Sequence, residues 1–396
     1  MSRAGVVIVG GGLAGQRCAE TLRRRGYEDP ITMVCAEPVR PYDRPPLSKG
    51  VLAGSSPGDS VWLRPREWYD DHEVQLMLGM MGVRLDPVPH VLVVSGGRRI
   101  PYDKLLIATG ASARQLPFMR GFRNVHTVRT IFDVARLRSQ LVPGSRLAIV
   151  GAGFIGQEIA STARGLGLEV TLIEAQATPL AGILGERVGG WFGDLHRSEG
   201  VDLLTSAMLE SARGNGRVEE LKLTDGRSIE CDVVVVGVGV APETGWLKSI
   251  GMPDGIPVSV GGRTAIPDVF AAGDVAAVFE PRLGRHLRTE HWDSAARGGA
   301  AAAQTMLGEE EKPPPLPSFW SDQYGLRISY VGHAGIADDH RIEADSSARD
   351  LAVIYERDGW PVAALTVDRP RRLAELRAQI ERSPEKQSNE EMEKAA

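Results

Sequence analysis

Short apolar runs alternate with longer amphipathic stretches along most of this chain. The run GVVIVG at residues 5–10 predicts a strand, and LAGQRCAETLRRRG after it has the period of a helix that ends at Gly26. ITMVCAE then predicts a second strand. The same order recurs near residue 146, in RLAIVGAGFIGQEIASTARGLGLEVTLIE. We therefore expect an α/β protein with two domains, each opening with a strand–helix–strand unit on a parallel sheet.

The last fifth of the chain has a different pattern. The proline-rich stretch EKPPPLP at 311–317 predicts a linker, and RISYVG, LAVIYER and PVAALTV beyond it predict short strands. RRLAELRAQIER then predicts a helix. These elements indicate a C-terminal α+β domain with an antiparallel sheet. The final segment, SPEKQSNEEMEKAA at 383–396, has the composition of a disordered tail.

Both strand–helix–strand units carry a glycine fingerprint, GxGxxG, between the first strand and the helix. The first glycine allows a tight turn, the second lets the backbone approach a pyrophosphate at the helix N-terminus, and the third permits close helix–strand packing. The glycines are Gly10, Gly12 and Gly15 in the first unit and Gly151, Gly153 and Gly156 in the second. Two dinucleotide sites on one chain indicate a flavin, FAD, supplied by a nicotinamide coenzyme.

An acidic residue ends the second strand of each unit. Glu37 and Glu174 lie 22 and 18 residues after the last glycine of their fingerprints, near the spacing of about 20 expected for a ribose-binding carboxylate. A carboxylate repels a ribose 2′-phosphate, and no arginine occurs in the AQATPLAG that follows Glu174. We therefore predict NADH as the coenzyme.

The stretch TAIPDVFAAGDVA at 264–276 resembles the second FAD motif of flavoproteins that bind two dinucleotides, in which the aspartate, here Asp274, binds the ribityl chain. The FAD domain is then split around the NAD domain, with crossings at IATG (107–110) and VGVG (236–239). The predicted parts are 1–112 and 240–316 for FAD, 113–239 for NAD, 317–382 for a C-terminal interface domain, and 383–396 for the tail.

Composition excludes several other classes of protein. The net charge of −5 argues against nucleic acid as a partner, and the longest apolar run, VVVVGVGV, is too short to span a bilayer. The first strand begins too early to leave room for a signal peptide. Cys18, Cys35 and Cys231 are too scattered for a metal site or a disulfide framework. We expect a cytoplasmic protein with no membrane partner.

The chain resembles the NADH-dependent ferredoxin reductases that serve Rieske-type oxygenases and haem-thiolate monooxygenases, within the wider glutathione-reductase-like flavoproteins. The resemblance runs from about residue 4 to 380 and is carried by RPYDRPPLSK at 40–49, both fingerprints, FAAGDVA, EHWDSAA and FWSDQYGLRI. It implies that NADH gives a hydride to FAD and that the electrons leave singly to a 2Fe–2S ferredoxin in a transient complex.

The resemblance implies a role for the proline-rich stretch 40–49, which by itself predicts neither helix nor strand. Arg44 would contact the FAD phosphate or ribose, Pro45 and Pro46 would wall the ring, and Lys49 would lie near flavin N5. A fixed cation there stabilises the charge that arrives with the electrons. Glu158, just after the second fingerprint, would pair with Lys49. The alternative for the stretch 40–49 is a surface loop with solvated charges. The alternative for Glu158 is an ordinary acid at a helix N-terminus, where the helix dipole favours it.

Further site residues follow from the resemblance by position. Arg129 in VHTVRT would lie near the flavin, and the backbone of Val83 would meet the adenine. Catalytic roles are expected for Lys49, Glu158 and Trp292, and no metal site is expected. The full set expected to bind the cofactors is Gly10, Gly12, Leu13, Ala14, Gly15, Glu37, Arg44, Pro46, Lys49, Val83, Ala108, Thr109, Gly110, Arg129, Gly151, Gly153, Phe154, Ile155, Gly156, Glu158, Glu174, Gly237, Gly239, Gly273, Asp274, Glu290, His291 and Trp292.

Electrons are expected to leave the flavin directly. The redox CxxxxC of disulfide reductases is missing from the first helix, where Cys18 has no partner five residues away. In the resembled reductases the tryptophan of EHWDSAA, here Trp292, lies by the flavin on the ferredoxin side; the alternative is an ordinary core tryptophan. Segments 40–49 and 282–297 each carry a net charge of +2, which leaves −9 for the rest of the chain. This distribution favours an acidic ferredoxin, although solvated surface charges would look the same.

Other functions are compatible with the same motifs. They are a rubredoxin reductase, an NADH oxidase-like flavoprotein, and an NADH-binding signalling flavoprotein resembling apoptosis-inducing factor. The sequence does not decide between monomer and dimer.

Overall fold

The computed structural model describes residues 4–56, 59–344 and 349–382. The tail predicted to be disordered lies outside the described residues. The chain divides into two compact units: 1–43, 59–112 and 241–317 form the first, and 44–58, 113–240 and 318–396 form the second. The N-terminal α/β unit is therefore interrupted in sequence.

The first unit is built on a five-stranded parallel sheet whose central strands are almost entirely buried. In spatial order its strands are Val269–Ala271, Lys104–Ile107, Val6–Val9, Ile31–Cys35 and Val74–Leu78. Its helices are Leu13–Arg24, Arg66–Asp71 and Trp292–Met306, with a 3₁₀ turn at Gly245–Ile250. The first and last of these helices touch at backbone distance, since a Cβ on Gly299 would lie 2.0 Å from the carbonyl oxygen of Ala14.

Two small three-stranded sheets complete the first unit. One is antiparallel, with strands Gly82–Asp86, Val91–Val94 and Arg99–Pro101; a 3₁₀ turn, Ser95–Gly97, joins the last two. The other is mixed, with strands Ile256–Val258, Ala276–Glu280 and Arg285–Arg288. Short strands Ala111–Ala113 and Val240–Pro242 lie at two of the five points where the chain passes from one unit to the other.

The second unit repeats the parallel arrangement. Its strands are, in spatial order, Asp202–Leu204, Glu169–Ile173, Arg146–Val150, Val233–Val236 and Val125–His126. An antiparallel sheet follows from Leu209–Arg213, Glu220–Leu223 and Ser228–Glu230. The helices are Gly50–Ala53, Ile131–Arg138, Phe154–Gly165, Ala181–Leu184 and Glu186–Ser198, with 3₁₀ turns at Pro45–Ser48 and Pro117–Met119.

The C-terminal part of the second unit is a five-stranded antiparallel sheet, as the sequence predicts. Its strands are, in spatial order, Ser318–Gln323, Leu326–Gly332, Trp360–Val367, Leu351–Arg357 and Asp339–Ala344. A 3₁₀ turn, Ala334–Ile336, and the helix Pro370–Glu381 complete it. The predicted fold class, two parallel α/β halves and a C-terminal α+β domain, is confirmed.

The expectation that the proline-rich stretch 40–49 lacks helical structure is wrong. Pro45–Ser48 forms a 3₁₀ turn and Gly50–Ala53 a single helical turn. Pro45 and Pro46 occupy the first positions of their turn, where proline's fixed φ suits a helix and its missing N–H has no bond to lose. The prolines therefore start helical turns here.

Candidate functional site

The first glycine fingerprint forms a tight backbone turn that leaves no room for a side chain at two of its three glycines. Gly10 has a φ of +127°, and a Cβ there would lie 2.0 Å from the carbonyl oxygen of Ala108. A Cβ on Gly15 would lie 2.2 Å from the carbonyl oxygen of Gly10. Gly12 faces open space and begins the helix Leu13–Arg24 without a side-chain cap among the described residues. Uncapped amides at a helix N-terminus fit the FAD pyrophosphate.

The other FAD motifs of the first unit converge on the same end of the sheet. Ala108, Thr109 and Gly110 follow the strand beside Val6–Val9, and Gly273 and Asp274 follow the next strand over. A Cβ on Gly273 would approach Cβ of Ala14, on the fingerprint helix, to 3.1 Å. Ligands of parallel α/β sheets bind at the carboxyl ends of the strands, so these residues fit FAD.

Three further predicted residues lie in the first unit. Glu37 follows the strand Ile31–Cys35, and its Oε2 accepts a hydrogen bond of 2.6 Å from the Tyr42 hydroxyl. The Thr109 hydroxyl donates to the carbonyl oxygen of Glu243 at 2.8 Å. Val83 is half exposed on the strand Gly82–Asp86. Their roles towards FAD stay predictions.

Trp292 is tied to the start of the proline-rich stretch. Its indole N–H donates to Oδ1 of Asp43 at 2.7 Å, and its helix, Trp292–Met306, begins after His291. Glu290, just before it, is paired with Arg288. A side-chain hydrogen bond therefore joins the EHWDSAA motif to the residue before Arg44.

The second fingerprint repeats the geometry of the first. Gly151 has a φ of +100°, and a Cβ there would lie 2.4 Å from the carbonyl oxygen of Gly237. A Cβ on Gly156 would lie 2.1 Å from the carbonyl oxygen of Gly151. The helix Phe154–Gly165 begins at Gly153, again without a side-chain cap among the described residues, and Ile155 in its first turn is half exposed. These features fit a second dinucleotide.

Glu174 is oriented by the backbone around it. Its Oε2 accepts from the N–H of Ala152 at 2.8 Å, and its Oε1 accepts from the N–H of Gln176 at 2.9 Å. The carboxylate therefore lies beside the fingerprint turn, at the end of the strand Glu169–Ile173, where a ribose-binding acid is expected. Gly239 is the last residue of the crossing VGVG at 236–239 and has a φ of +91°.

Lys49 and Glu158 form a partly buried ion pair in the second unit, with 2.8 Å between Nζ and Oε2. Glu158 is 3% exposed, so its charge is held almost entirely by protein groups. The Ser48 hydroxyl donates to Oε2 at 2.5 Å, and the Ser321 hydroxyl donates to Oε1 at 2.7 Å. Lys49 also donates to the carbonyl oxygen of Pro45 at 3.2 Å. The arrangement fixes a cation on the turn that follows Arg44.

Arg44 and Arg129 are also brought together. A guanidinium N–H of Arg44 donates to the carbonyl oxygen of Arg129. Thr130, next in the chain, caps the helix Ile131–Arg138 through a reciprocal pair of hydrogen bonds with Asp133. Arg44, Pro46, Lys49 and Arg129 all belong to the second unit, whereas the first fingerprint belongs to the first.

Two hydroxyl partners of Glu158 were not predicted from the sequence. Ser48 directly precedes Lys49, and Ser321 lies inside FWSDQYG, so both occur in motifs that the resemblance singles out. Ser321 and Gln323 lie two residues apart on the buried face of the strand Ser318–Gln323. Two polar residues at this alternating spacing are the signal that could have marked Ser321 as a buried hydrogen-bond donor.

The three cysteines are free and buried. Burial raises the pKa of the Cys35 and Cys231 thiols to about 12 and that of Cys18 further still. Thiolates are the reactive form, so these side chains are inert at neutral pH. The described residues also contain no cluster of His, Cys, Asp and Glu that could hold a metal ion. No described helix has the length and apolarity needed to cross a membrane.

The basic segment 282–297 is less positive than its composition suggests. Arg288 is paired with Glu290, Arg297 with Asp293 at 2.8 Å, and Arg282 with Glu280 at 3.9 Å. Arg285 has no ion pair among the described residues, and it lies on the exposed strand Arg285–Arg288. Any steering by this segment therefore depends mainly on Arg285.

Comparisons with known proteins cover most of the chain. The family model of pyridine nucleotide-disulphide oxidoreductases matches residues 4–299, and the reductase C-terminal model matches residues 318–395. The ferredoxin reductase subunit of 5,5′-dehydrodivanillate O-demethylase from Sphingobium sp. is 38% identical over 381 residues, 94% of this chain and 92% of that protein. The ferredoxin–NAD(+) reductase component of the anthranilate 1,2-dioxygenase system from Burkholderia cepacia is 38% identical over 388 residues, 96% of this chain and 95% of that one.

A solved structure gives the same result. Putidaredoxin reductase, in its covalent complex with putidaredoxin, superposes with a TM-score of 0.92 at 31% identity, over 95% of this chain and 92% of that one. The resemblance seen in the motifs is thereby confirmed. The chain belongs to the pyridine nucleotide-disulphide oxidoreductase family, among the relatives that serve as ferredoxin–NAD(+) reductases.

Proposed function

We propose that this chain is an FAD-dependent NADH:ferredoxin oxidoreductase that supplies electrons to an oxygenase. The observation that carries the proposal is the match, over both fingerprints and the C-terminal domain together, to ferredoxin–NAD(+) reductases of dioxygenase systems. FAD, when bound, accepts two electrons as a hydride and releases them one at a time.

The chain's own residues supply binding, orientation and charge. The amides after Gly12 and Gly153 would hold the two pyrophosphates, and Glu37 and Glu174 the two riboses. Lys49, paired with Glu158, would place a fixed cation where the electrons arrive, which lowers the energy of the charged product. The rigid turn that begins at Pro45 holds this cation in place before the coenzyme binds.

The proposal assigns roles to the parts of the chain. Segments 1–112 and 240–316 would bind FAD, 113–239 would bind NADH, and 317–382 would contribute to the face that meets the partner. Trp292 would lie on the path by which electrons leave. The partner would be an acidic 2Fe–2S ferredoxin that binds transiently, and the location would be the cytoplasm, where NADH is available and thiols stay reduced.

The test is stopped-flow reduction of the FAD-loaded protein by NADH, followed by oxidation with a panel of ferredoxins. Fast flavin reduction and fast oxidation by at least one 2Fe–2S ferredoxin are expected. Oxidation by rubredoxin alone would favour the rubredoxin reductase, and oxidation by oxygen alone would favour the oxidase. A long-lived charge-transfer complex that no acceptor oxidises would favour the signalling flavoprotein.

A further inference from the structure

Five residues of the second unit form one continuous hydrogen-bonded chain to which the proposed function assigns no role as a whole. His196 is fully buried in the helix Glu186–Ser198, with Nδ1 2.6 Å from the Tyr324 hydroxyl oxygen and Nε2 3.0 Å from Oε1 of Gln157. Nε2 of Gln157, also fully buried, donates to the carbonyl oxygen of Ala152 at 2.8 Å. The N–H of Ala152 donates to Glu174 at 2.8 Å.

Each bond in this chain has one possible direction. A carbonyl oxygen only accepts, so Gln157 presents its amide nitrogen to Ala152 and its amide oxygen to His196. That oxygen requires a donor, so Nε2 of His196 carries the hydrogen. Burial lowers the pKa of His196 to about 4, so the ring is neutral at pH 7 and its Nδ1 accepts from the Tyr324 hydroxyl.

One end of the chain is the coenzyme turn. Ala152 lies between the first two glycines of the second fingerprint, and both its N–H and its C=O are held, by Glu174 and by Gln157. Because a pyrophosphate needs a close backbone approach at this turn, the orientation of these peptides matters for binding. The ribose-binding carboxylate proposed at Glu174 is fixed by the same bonds.

The other end is the C-terminal sheet. Tyr324 begins the tight turn between the strands Ser318–Gln323 and Leu326–Gly332, with a φ of +52°. Its N–H donates to the hydroxyl of Ser161, on the helix Phe154–Gly165, at 2.7 Å. Buried polar groups are costly unless all are satisfied, and satisfied networks select one arrangement of the elements they join. The turn at Tyr324 is therefore held in a fixed position relative to the turn of the second fingerprint.

We propose that His196 is a positioning residue for NADH: through Gln157 it holds the Ala152 peptide and Glu174 in the orientation that binds the adenosine ribose, and through Tyr324 it makes that orientation depend on the C-terminal sheet. The inference rests on the proposed assignment of the second fingerprint to NADH. Coenzyme affinity and the preference for NADH over NADPH then depend on residues remote from the coenzyme.

The experiment measures NAD+ binding by calorimetry on the FAD-loaded protein, without ferredoxin, in three variants. Tyr324→Phe removes only the terminal hydroxyl, His196→Phe breaks the middle of the chain, and Gln157→Leu combined with His196→Phe replaces both central groups by apolar ones. Tyr330→Phe is the matched control: its buried hydroxyl in the same sheet accepts from the N–H of Ala334 at 2.7 Å and is no part of the chain.

We expect the dissociation constant of NAD+ to rise about 3–10-fold in Tyr324→Phe, which loses one buried hydrogen bond of the chain, and more in the other two, which lose two and three. In a separate steady-state assay with ferredoxin as the electron acceptor, the turnover number at saturating NADH should stay within about twofold of the native value. The ratio of kcat/KM for NADH to that for NADPH should fall, because Glu174 is less well oriented. In Tyr330→Phe all three quantities should remain native.

Unchanged NAD+ binding and coenzyme preference in Tyr324→Phe and in the double variant, at native FAD content, would overturn the proposal. An equal loss in Tyr330→Phe would also overturn it, because any loosening of the C-terminal sheet would then suffice. If the native protein itself does not bind NAD+, the coenzyme assignment fails and the inference fails with it. Normal NAD+ binding without ferredoxin reduction would overturn only the partner.

Discussion

Nζ of Lys49 lies 2.8 Å from Oε2 of Glu158, an almost fully buried carboxylate that also accepts hydrogen bonds from two serine hydroxyls. A buried carboxylate with this many partners is fixed in position, and it in turn fixes the lysine ammonium that pairs with it. The cation is thus placed by residues from three separate segments of the second unit, at 48–49, 158 and 321.

Replacing the lysine should slow the reductive half of the reaction. In Lys49→Met we expect flavin reduction by NADH to fall at least about 10-fold, because the fixed charge is lost and Glu158 is left without its cation. Lys222→Met is the control, since Lys222 pairs with Glu210 on the surface at 3.6 Å. Stopped-flow absorbance measures both, and native reduction rates in Lys49→Met would contradict the role.

Coenzyme choice should be reversed at the end of the strand Glu169–Ile173. Glu174→Arg removes the acceptor for a ribose hydroxyl and adds a partner for a 2′-phosphate, so kcat/KM should fall about 10–100-fold for NADH and rise for NADPH. Glu169→Arg, an exposed acid on the same strand, should change neither. A native protein that already prefers NADPH would show that the ribose assignment is wrong.

The thiols should be dispensable for electron transfer. A variant with Cys18→Ala, Cys35→Ala and Cys231→Ala should keep most of its ferredoxin-dependent activity, because all three thiols are buried and have raised pKa values. Anaerobic titration with NADH should end at about two electrons per FAD in the native protein, the capacity of the flavin alone. An uptake of four electrons would mean that a dithiol takes part.

Electron exit should be separable from flavin reduction at Trp292. In Trp292→Ala the oxidation by ferredoxin should slow much more than reduction by NADH, whereas Trp292→Phe, which loses the bond to Asp43 but keeps an aromatic ring, should slow it less. Trp360→Ala, at an exposed tryptophan of the C-terminal sheet, is the control. Equal losses in both halves at full FAD occupancy would mean that Trp292 supports the flavin site generally.

Charge reversal tests the steering of the partner. Arg285→Glu should raise the apparent KM for ferredoxin and flatten its salt dependence, because this arginine has no ion pair among the described residues. Arg297→Glu should have a smaller effect, since Arg297 is already paired with Asp293. The measurement is the KM for ferredoxin between low and moderate ionic strength. Equal effects of the two variants would contradict a specific role for Arg285.

His196 should make the second unit sensitive to acid. The pKa of His196 in the folded state is lowered to about 4. Between pH 6.5 and 4 the unfolded state therefore binds a proton that the folded state does not, and the free energy of unfolding decreases as the pH is lowered. The loss should approach about 3 kcal/mol near pH 4. Urea unfolding at several pH values should show a steeper decline in the native protein than in His196→Phe, and parallel curves would contradict the prediction.

The sequence by itself determined the features that depend on local backbone geometry. Each fingerprint needs glycines at fixed spacing, because a Cβ at Gly10 or Gly151 would collide with a neighbouring carbonyl oxygen. Apolar runs of four or five residues are typical of strands that are buried on both faces, as in parallel sheets, and they predict the strands at 6–9 and 146–150. The predicted C-terminal helix was observed at Pro370–Glu381, within one residue of the pattern.

Edge strands were harder to predict. Ser318–Gln323 and Asp339–Ala344 lie at the two edges of the C-terminal sheet, where one side needs no partner strand and polar residues are tolerated. Their sequences therefore lack a long apolar run. The turns that begin at Pro45 were missed because proline marks a break in most contexts, and only the surrounding packing makes it the first residue of a helical turn.

The tertiary structure alone decided which distant side chains meet. The pairing of Lys49 with Glu158 was expected from the resemblance, but the two serine contacts were not. Ser48 reaches the carboxylate from the turn Pro45–Ser48, and Ser321 reaches it from the strand Ser318–Gln323. His196 lies in an amphipathic helix, where spacing alone cannot distinguish a surface histidine from one that joins Gln157 to Tyr324. Such contacts depend on the packing of elements far apart in the chain, and local patterns carry no information about that packing.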